Sequence, residues 1–132
     1  MAGRWTAGPG RRSEYAVKLL FILNDPPYGT ERTYNGLRLA RPTLHKGDTE
    51  VKVFLIGDAV AAAKNGQQVP TGFYNLGTML DGIVRHGGSV GMCGSCIDAR
   101  GIGESELVAG ARRSSMDELA VWTQEADKVL VF

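Results

Sequence analysis

Two apolar runs of strand length constrain the fold of this chain more strongly than any other feature of its sequence. Residues 16–24 and 51–56 are almost continuously apolar, which is typical of parallel strands covered by protein on both faces. Residues 129–132 repeat the pattern, and residues 89–92 and 106–110 form two shorter candidates. These runs predict a sheet of about five strands.

Helical patterns separate the apolar runs. The first contains Pro42, which lacks a backbone N–H and is expected to kink or end its helix. The second stops at Gly87, and its apolar stripe consists of Phe73, Leu76, Leu80, Ile83 and Val84. The third begins with a capping box at Ser114 or Ser115, and Trp122 within it is expected to pack in the core or between subunits. Its inward-facing residues are expected to be Leu119, Ala120 and Thr123.

The alternation of strands and helices predicts the class of fold. Right-handed strand–helix–strand crossovers produce a mainly parallel sheet with helices on both faces, so an α/β three-layer sandwich is expected. Residues 15–132 are long enough for one domain of this kind. Residues 1–14 show no periodicity, and they are expected to be a disordered basic arm or a remnant of the cloning vector.

The charge pattern excludes several classes of function. Lys and Arg number 15 against 14 Asp and Glu, but residues 1–13 hold three of the arginines, so the remainder is mildly acidic. Nucleic acid is therefore not expected as a main ligand, because phosphate binding needs a clustered basic face. There is also no apolar run of the roughly 20 residues that a membrane span needs, so a cytoplasmic protein without membrane contact is expected.

Cys93 is the residue with the clearest chemical potential. It follows the run at residues 89–92, and Gly94 and Ser95 are expected to begin a helix that runs towards Arg100. Free N–H groups at such a helix start would favour a thiolate or a persulfide anion on Cys93, and Arg100 is expected to add a positive charge nearby. The alternative is that the cysteine is an inert, buried, small apolar residue.

Cys96 completes a C-x-x-C pair with Cys93. Two thiols at this spacing can close as a redox disulfide or pass sulfur between them, but they cannot staple distant parts of a fold. A zinc site needs about four ligands, and beyond the pair only His45 and His86 are candidates, in unrelated segments. No metal site and no cofactor are therefore expected.

A second candidate site follows the first predicted strand. The Pro-Pro-Tyr-Gly-Thr segment that contains Tyr28 and Gly29 is expected to form a rigid loop, whose backbone amides are candidates for holding a small anion. It lacks the lysine of a phosphate-binding loop, so a structural turn is the alternative.

Three segments resemble the DsrE/DsrF/TusD family, including its YchN-like members. They are Tyr28-Gly29-Thr30, residues 93–102 with their Arg-Gly-Ile ending, and the terminal residues 126–132. The resemblance implies a parallel-sheet α/β domain that forms a homotrimer or homohexamer. In TusD-like members the relay cysteine precedes an Arg-Gly pair, and Cys93 stands at the matching spacing, eight residues before Gly101.

The resemblance implies a sulfur-relay protein, a sulfurtransferase that holds sulfane sulfur as a persulfide on Cys93. Sulfur donor and acceptor proteins are then the expected partners. Cys96 departs from the single-cysteine pattern of the relay members, so it is either a resolving thiol or a structural one. Two alternatives remain: an oligomeric binding or assembly module without catalysis, and a dithiol redox protein that uses the Cys93–Cys96 pair.

Overall fold

The computed structural model of the chain describes residues 17–132 and contains one five-stranded sheet in which all strands run parallel. In chain order the strands are β1 (Val17–Leu23), β2 (Thr49–Leu55), β3 (Ser89–Cys93), β4 (Ala111–Ser114) and β5 (Lys128–Val131). Their spatial order is β4-β3-β2-β1-β5. The predicted parallel sheet of five strands is confirmed.

Four α-helices and two short 3-10 helices connect the described strands. The α-helices are α1 (Arg32–Thr43), α2 (Leu76–Arg85), α3 (Gly94–Ala99) and α4 (Met116–Glu125). The 3-10 helices span Gly57–Ala63 and Glu104–Glu106. Pro42 lies in the last turn of α1, which ends one residue later, as its missing backbone donor predicts.

Alternate strand residues feed two cores on opposite faces of the sheet. Phe21 and Leu23 point into the larger core, which α1 and α2 cover, whereas Leu20 points into a smaller one. That smaller core is closed by Leu119 and Trp122 of α4. Helices therefore cover both faces, and the α/β sandwich is confirmed.

The strand predicted at residues 106–110 is wrong. Leu107 and Val108 are buried, but they lie in a connection that pairs with the rest of the fold through one antiparallel bridge, between Leu107 and Lys64. The true fourth strand is β4, which reads Ala-Arg-Arg-Ser. Its edge position allows Arg112 and Arg113 to reach solvent, so it carries no apolar pattern.

Two details of the helical patterns also need correction. α2 begins at Leu76 after Asn75, whose side chain accepts a hydrogen bond from the Thr78 N–H, so Phe73 lies outside the helix and is 68% exposed. In α4, Ser115 accepts from the Glu118 N–H as expected of a cap. Within that helix, however, the exposed residues include Ala120 and Thr123, and the buried partner of Leu119 is Trp122.

The prediction for the basic arm at residues 1–14 lies outside the described residues. Within residues 17–132, no helix is both long and apolar enough to cross a membrane.

Candidate functional site

Cys93 lies at the junction between a buried strand and a helix. It is the last residue of β3 and the N-cap of α3, and β3 is an interior strand flanked by β2 and β4. The cysteine therefore sits at the carboxyl edge of a parallel sheet, where α/β proteins place their chemistry. The predicted placement at a strand-to-helix junction is confirmed.

The surroundings of Cys93 favour its ionised form. The residue is 4% exposed, and its Sγ lies 3.3 Å from Ser95 Oγ. Burial by itself raises the pKa of the thiol, but hydrogen bonds from the side chains of Cys96 and Ser95 and from their backbone N–H groups act in the other direction. The net result is a Cys93 pKa below its ordinary value, as expected of a nucleophilic thiol.

Cys96 shows the opposite behaviour. It occupies the first turn of α3, and its Sγ accepts a hydrogen bond from the Gly57 N–H at 3.2 Å. Burial raises its pKa, and the interaction with Cys93 raises it further, against a smaller lowering by Gly57. The surroundings thus favour the thiolate at Cys93 and the protonated thiol at Cys96. In a C-x-x-C pair, such a difference separates an attacking cysteine from a resolving one.

Arg100 does not take the predicted position beside Cys93. Its Nε and Nη2 donate to Asp58 Oδ1 at 3.2 and 2.6 Å, and its Nη1 donates to the Cys96 carbonyl at 3.1 Å. The positive charge of Arg100 is among the influences that lower the pKa of Cys96. The prediction that Arg100 supports an anion on Cys93 therefore needs correction, because the helix carries this arginine to the Cys96 side.

Arg113 is the cation that faces the Cys93 end of the helix. β4 pairs with β3 so that Ser114 lies opposite Cys93, and this register brings Arg113 to the start of α3. Two hydrogen bonds to Asp98, at 2.9 and 2.8 Å, fix the guanidinium in a bidentate geometry. The hydrogen bond to Asp98 raises the Arg113 pKa most, and the charge of Cys93 contributes as well.

The absence of a side chain at Gly94 makes room for this arginine. A Cβ at Gly94 would lie 2.9 Å from the Cζ, Nε and Nη2 atoms of Arg113, so the guanidinium would have to move away. The guanidinium therefore packs directly against the backbone that follows Cys93. Gly94 and Ser95, both predicted as site residues, do lie at the cysteine.

Loss of the Arg113 charge is expected to raise the Cys93 pKa. In a Cys96→Ser background, which isolates the first thiol, Arg113→Gln should shift the pH profile of Cys93 alkylation to higher pH and slow alkylation at neutral pH by a few-fold. The effect is modest because the arginine side chain is 43% exposed and solvent screens its charge. Arg113→Lys should recover part of the shift.

The neighbouring Arg112 supplies a matched control for this experiment. It makes an equivalent bidentate pair with Glu118 on α4 and stacks near Trp122, so Arg112→Gln removes a similar ion pair from the same strand. Its alkylation profile should match that of the parent. Equal shifts in the two variants would mean that Arg113 acts through general destabilisation and not through its charge.

The Tyr28 and Gly29 loop performs a different task in the structure. The Tyr28 hydroxyl hydrogen-bonds to Gln67 and accepts from the Leu76 N–H at 3.2 Å, while its ring stacks on Tyr74 at 6.1 Å. Gly29 has a φ of +99°, which favours glycine. These bonds connect the loop after β1 to the start of α2 and do not reach the cysteine pair. Tyr28 and Gly29, which were predicted as anion-binding residues, therefore lie outside the cysteine site.

The two histidines, which lie in separate segments of the sequence, come together in the fold. In the part of the chain that the structure describes, no group of three or more His, Cys, Asp or Glu side chains is placed to hold a metal ion. His45 and His86 form an edge-to-face ring pair at 5.2 Å, and the His86 Nδ1 is 2.7 Å from the Gly82 carbonyl oxygen.

Sequence reasoning missed two contributors to the site, the Gly57 amide and Arg113. Gly57 follows β2 with a φ of +60°, and its N–H donates to Cys96 Sγ. The signal that would have found it is a glycine directly after a strand adjacent to β3. Arg113 would have been found only if the polar β4 had been recognised as the neighbour of the cysteine strand.

Comparisons with known proteins agree on one family. A family model described as DsrE/DsrF-like matches residues 17–132. The protein YchN of Escherichia coli is 38% identical over 116 residues, which cover 87% of this chain and 98% of YchN. An uncharacterized protein of Methanopyrus kandleri is 38% identical over 111 residues, covering 84% and 90% of the two chains.

Solved structures give the same result. The crystal structure of YchN from Escherichia coli superposes with a TM-score of 0.82 at 38% identity, over 88% of this chain and 99% of the other. A protein of unknown function from Methanobacterium thermoautotrophicum has a TM-score of 0.69 at 11% identity, covering 85% and 96%. The second similarity concerns the fold alone.

Proposed function

Because this chain belongs to the DsrE/DsrF-like family, we propose that it is a sulfur-relay protein that accepts and donates sulfane sulfur as a persulfide on Cys93. The observation that carries the proposal is the position of Cys93 between β3 and α3, with its Sγ 3.3 Å from Ser95 Oγ, where hydrogen bonds also lower the pKa of the thiol. A lowered pKa raises the thiolate fraction at a given pH, and the thiolate is the form that attacks sulfur. The family membership supplies the context, and the local chemistry supplies the nucleophile.

The loading step requires nothing beyond a persulfide donor. The Cys93 thiolate attacks the terminal sulfur of a donor R–S–SH, a bond forms between Cys93 Sγ and that sulfur, and the donor's S–S bond breaks. The donor leaves as the thiolate RS⁻ and takes up the proton of the transferred sulfur, so Cys93 then carries a persulfide anion. Ser95 Oγ and the backbone N–H groups of Ser95 and Cys96, which already favour the thiolate, are available to hydrogen-bond the new persulfide anion.

Delivery reverses this step towards the thiol of an acceptor protein. A reducing compartment such as the cytoplasm keeps both thiols reduced for this transfer, so we propose that the protein is cytoplasmic.

We also propose that the chain forms a homo-oligomer, a trimer or a hexamer. Val129 and Val131 of the edge strand β5, which are 39% and 65% exposed, are apolar side chains available to an interface between subunits.

The proposal is tested by loading a chain that retains only the first thiol. Cys96→Ser protein incubated with a low-molecular-weight persulfide and then desalted should gain the mass of one sulfur atom, and a thiol reductant should remove it. Peptide mapping after alkylation should place the added sulfur on Cys93. A native protein that takes up no sulfur, and whose Cys93 alkylates only after unfolding, would instead be the binding or assembly module, consistent with the 4% exposure of this residue.

A dithiol redox protein is the second candidate. The opposite displacement of the two thiol pKa values favours it, because such a pair supports one attacking and one resolving cysteine. It predicts a reversible Cys93–Cys96 disulfide with a defined potential and no sulfur retained by Cys96→Ser protein. The loading experiment therefore separates the two candidates.

A further inference from the structure

We propose that Cys96 gives this site a further activity, the intramolecular release of the sulfane sulfur on Cys93 as hydrosulfide. The inference rests on the proposed function, since it requires a persulfide on Cys93. It adds a second fate for the bound sulfur, in which the chain itself, and not an acceptor protein, completes the reaction. The protein then acts as a persulfide-reducing enzyme whenever no acceptor is docked.

The placement of the two thiols carries this inference. Cys93 is the N-cap of α3 and Cys96 lies three residues later in its first turn. Residues at this helical spacing have Cβ atoms about 5–6 Å apart, and the interaction of the two thiols is reflected in both pKa values. A C-x-x-C pair with this spacing can close as a disulfide.

The reaction balances without an external oxidant. The Cys96 thiolate attacks Sγ of the Cys93 persulfide, the Cys93–Cys96 disulfide forms, and the bond from Cys93 Sγ to the sulfane sulfur breaks. That sulfur leaves with the bonding electron pair as HS⁻, so it is reduced while Cys96 is oxidised. The proton of the Cys96 thiol passes to the outer sulfur of the persulfide anion, which lets that sulfur leave as HS⁻. A dithiol reductant restores the pair for another cycle.

The Gly57 N–H is placed to assist the attacking thiol. It donates to Cys96 Sγ at 3.2 Å and lowers the Cys96 pKa against the effect of burial. The Cys96 thiol is half-buried between this amide and the smaller core. Cys96 is thereby held beside Cys93, while part of its side chain still reaches solvent.

Charged groups from three neighbouring segments face the pair and set its pH dependence. Arg100, held by Asp58 of the 3-10 helix after β2, lies on the Cys96 side, and Arg113 of β4, held by Asp98 of α3, lies on the Cys93 side. Cys96 must lose its proton before it attacks, and its pKa is raised. The reacting pair carries one proton, so release is expected to be fastest between the persulfide pKa and the raised Cys96 pKa and to slow on either side of that range.

The experiment follows loaded protein in the absence of reductant. Wild type and Cys96→Ser are loaded with a low-molecular-weight persulfide, desalted under anaerobic conditions and sampled across a pH series for sulfide and intact mass. Wild type should release one sulfide per chain, at a rate independent of protein concentration, and end two hydrogen atoms lighter than the reduced chain. Cys96→Ser should keep its added sulfur throughout.

The outcomes separate this inference from the proposed function. Failure of Cys96→Ser to load would contradict the persulfide carrier itself. Loading of Cys96→Ser together with wild type that retains its sulfur equally long would overturn the release activity alone. Release from wild type that scales with protein concentration would also overturn it, because the attack would then come from another chain.

Discussion

Cys93→Ser is expected to abolish sulfur uptake completely, whereas Cys96→Ser is expected to preserve it. A serine hydroxyl stays protonated under conditions in which a thiol ionises, so it cannot attack a persulfide even when the same hydrogen bonds surround it. Those bonds come from Ser95 and from backbone N–H groups that the substitution leaves in place. The measurement is the labile sulfur retained after incubation with a persulfide donor and desalting.

Folding has to be excluded as the cause of this loss. The two side chains have nearly the same shape, so the free energy of unfolding of Cys93→Ser should remain within about 1 kcal/mol of wild type. Ser95→Ala is a matched control, because it removes the neighbouring hydroxyl at 3.3 Å and keeps the nucleophile. It should load more slowly but to the same extent. Uptake by a stable Cys93→Ser protein would exclude Cys93 as the carrier.

The strands that were predicted correctly include the interior strands of the sheet and also the apolar edge strand β5. β1 and β2 are interior strands between two cores, so β1 and the second half of β2 are largely apolar and these runs are visible without any tertiary information. β4 was missed because it is an edge strand whose arginines pair with Glu118 and Asp98. Leu107 and Val108 form an apolar run that was interpreted as a strand. Both are buried, but they lie in a connecting loop, and Leu107 belongs to the larger core.

The same contrast separates the two arginines of the site. Arg100 follows Cys93 closely in the chain, but a helix of six residues advances about 9 Å and leaves it beside Asp58 and Cys96. Arg113 is far from Cys93 in sequence and returns to it through the crossover that places β4 next to β3. Local spacing identifies a candidate nucleophile at a strand end, whereas the charges near it depend on strand order.

The family could be assigned from short sequence motifs, without knowledge of the strand order. The resemblance of three short segments to the DsrE/DsrF group is confirmed by the family model and by the 38% identity with YchN. One of those segments contains Tyr28, whose hydroxyl connects two loops through Gln67 and Leu76. Motif residues can thus identify a family while serving its architecture, so the chemistry of the site has to be argued from the cysteines themselves.

Trp122→Ala is expected to destabilise the protein by about 3–5 kcal/mol, a large part of the roughly 5–15 kcal/mol that holds a domain of this size together. Trp122 is 6% exposed, meets Phe54 edge-to-face at 6.1 Å and reaches within 3.1 Å of the Cβ position of Gly91. With Leu119, it anchors α4 to the sheet. The measurement is urea unfolding, compared through midpoint and slope.

Val121→Ala is the matched control for that loss, because Val121 precedes the tryptophan in the same helix but is 51% exposed. It should change the free energy of unfolding by no more than about 0.5 kcal/mol. The smaller core that Trp122 closes also contains Cys93, so loosening α4 should speed Cys93 alkylation in Trp122→Ala and leave it unchanged in Val121→Ala. Equal stability losses in the two variants would mean that α4 is held by its ends, and that the core beneath Cys93 does not depend on the indole ring.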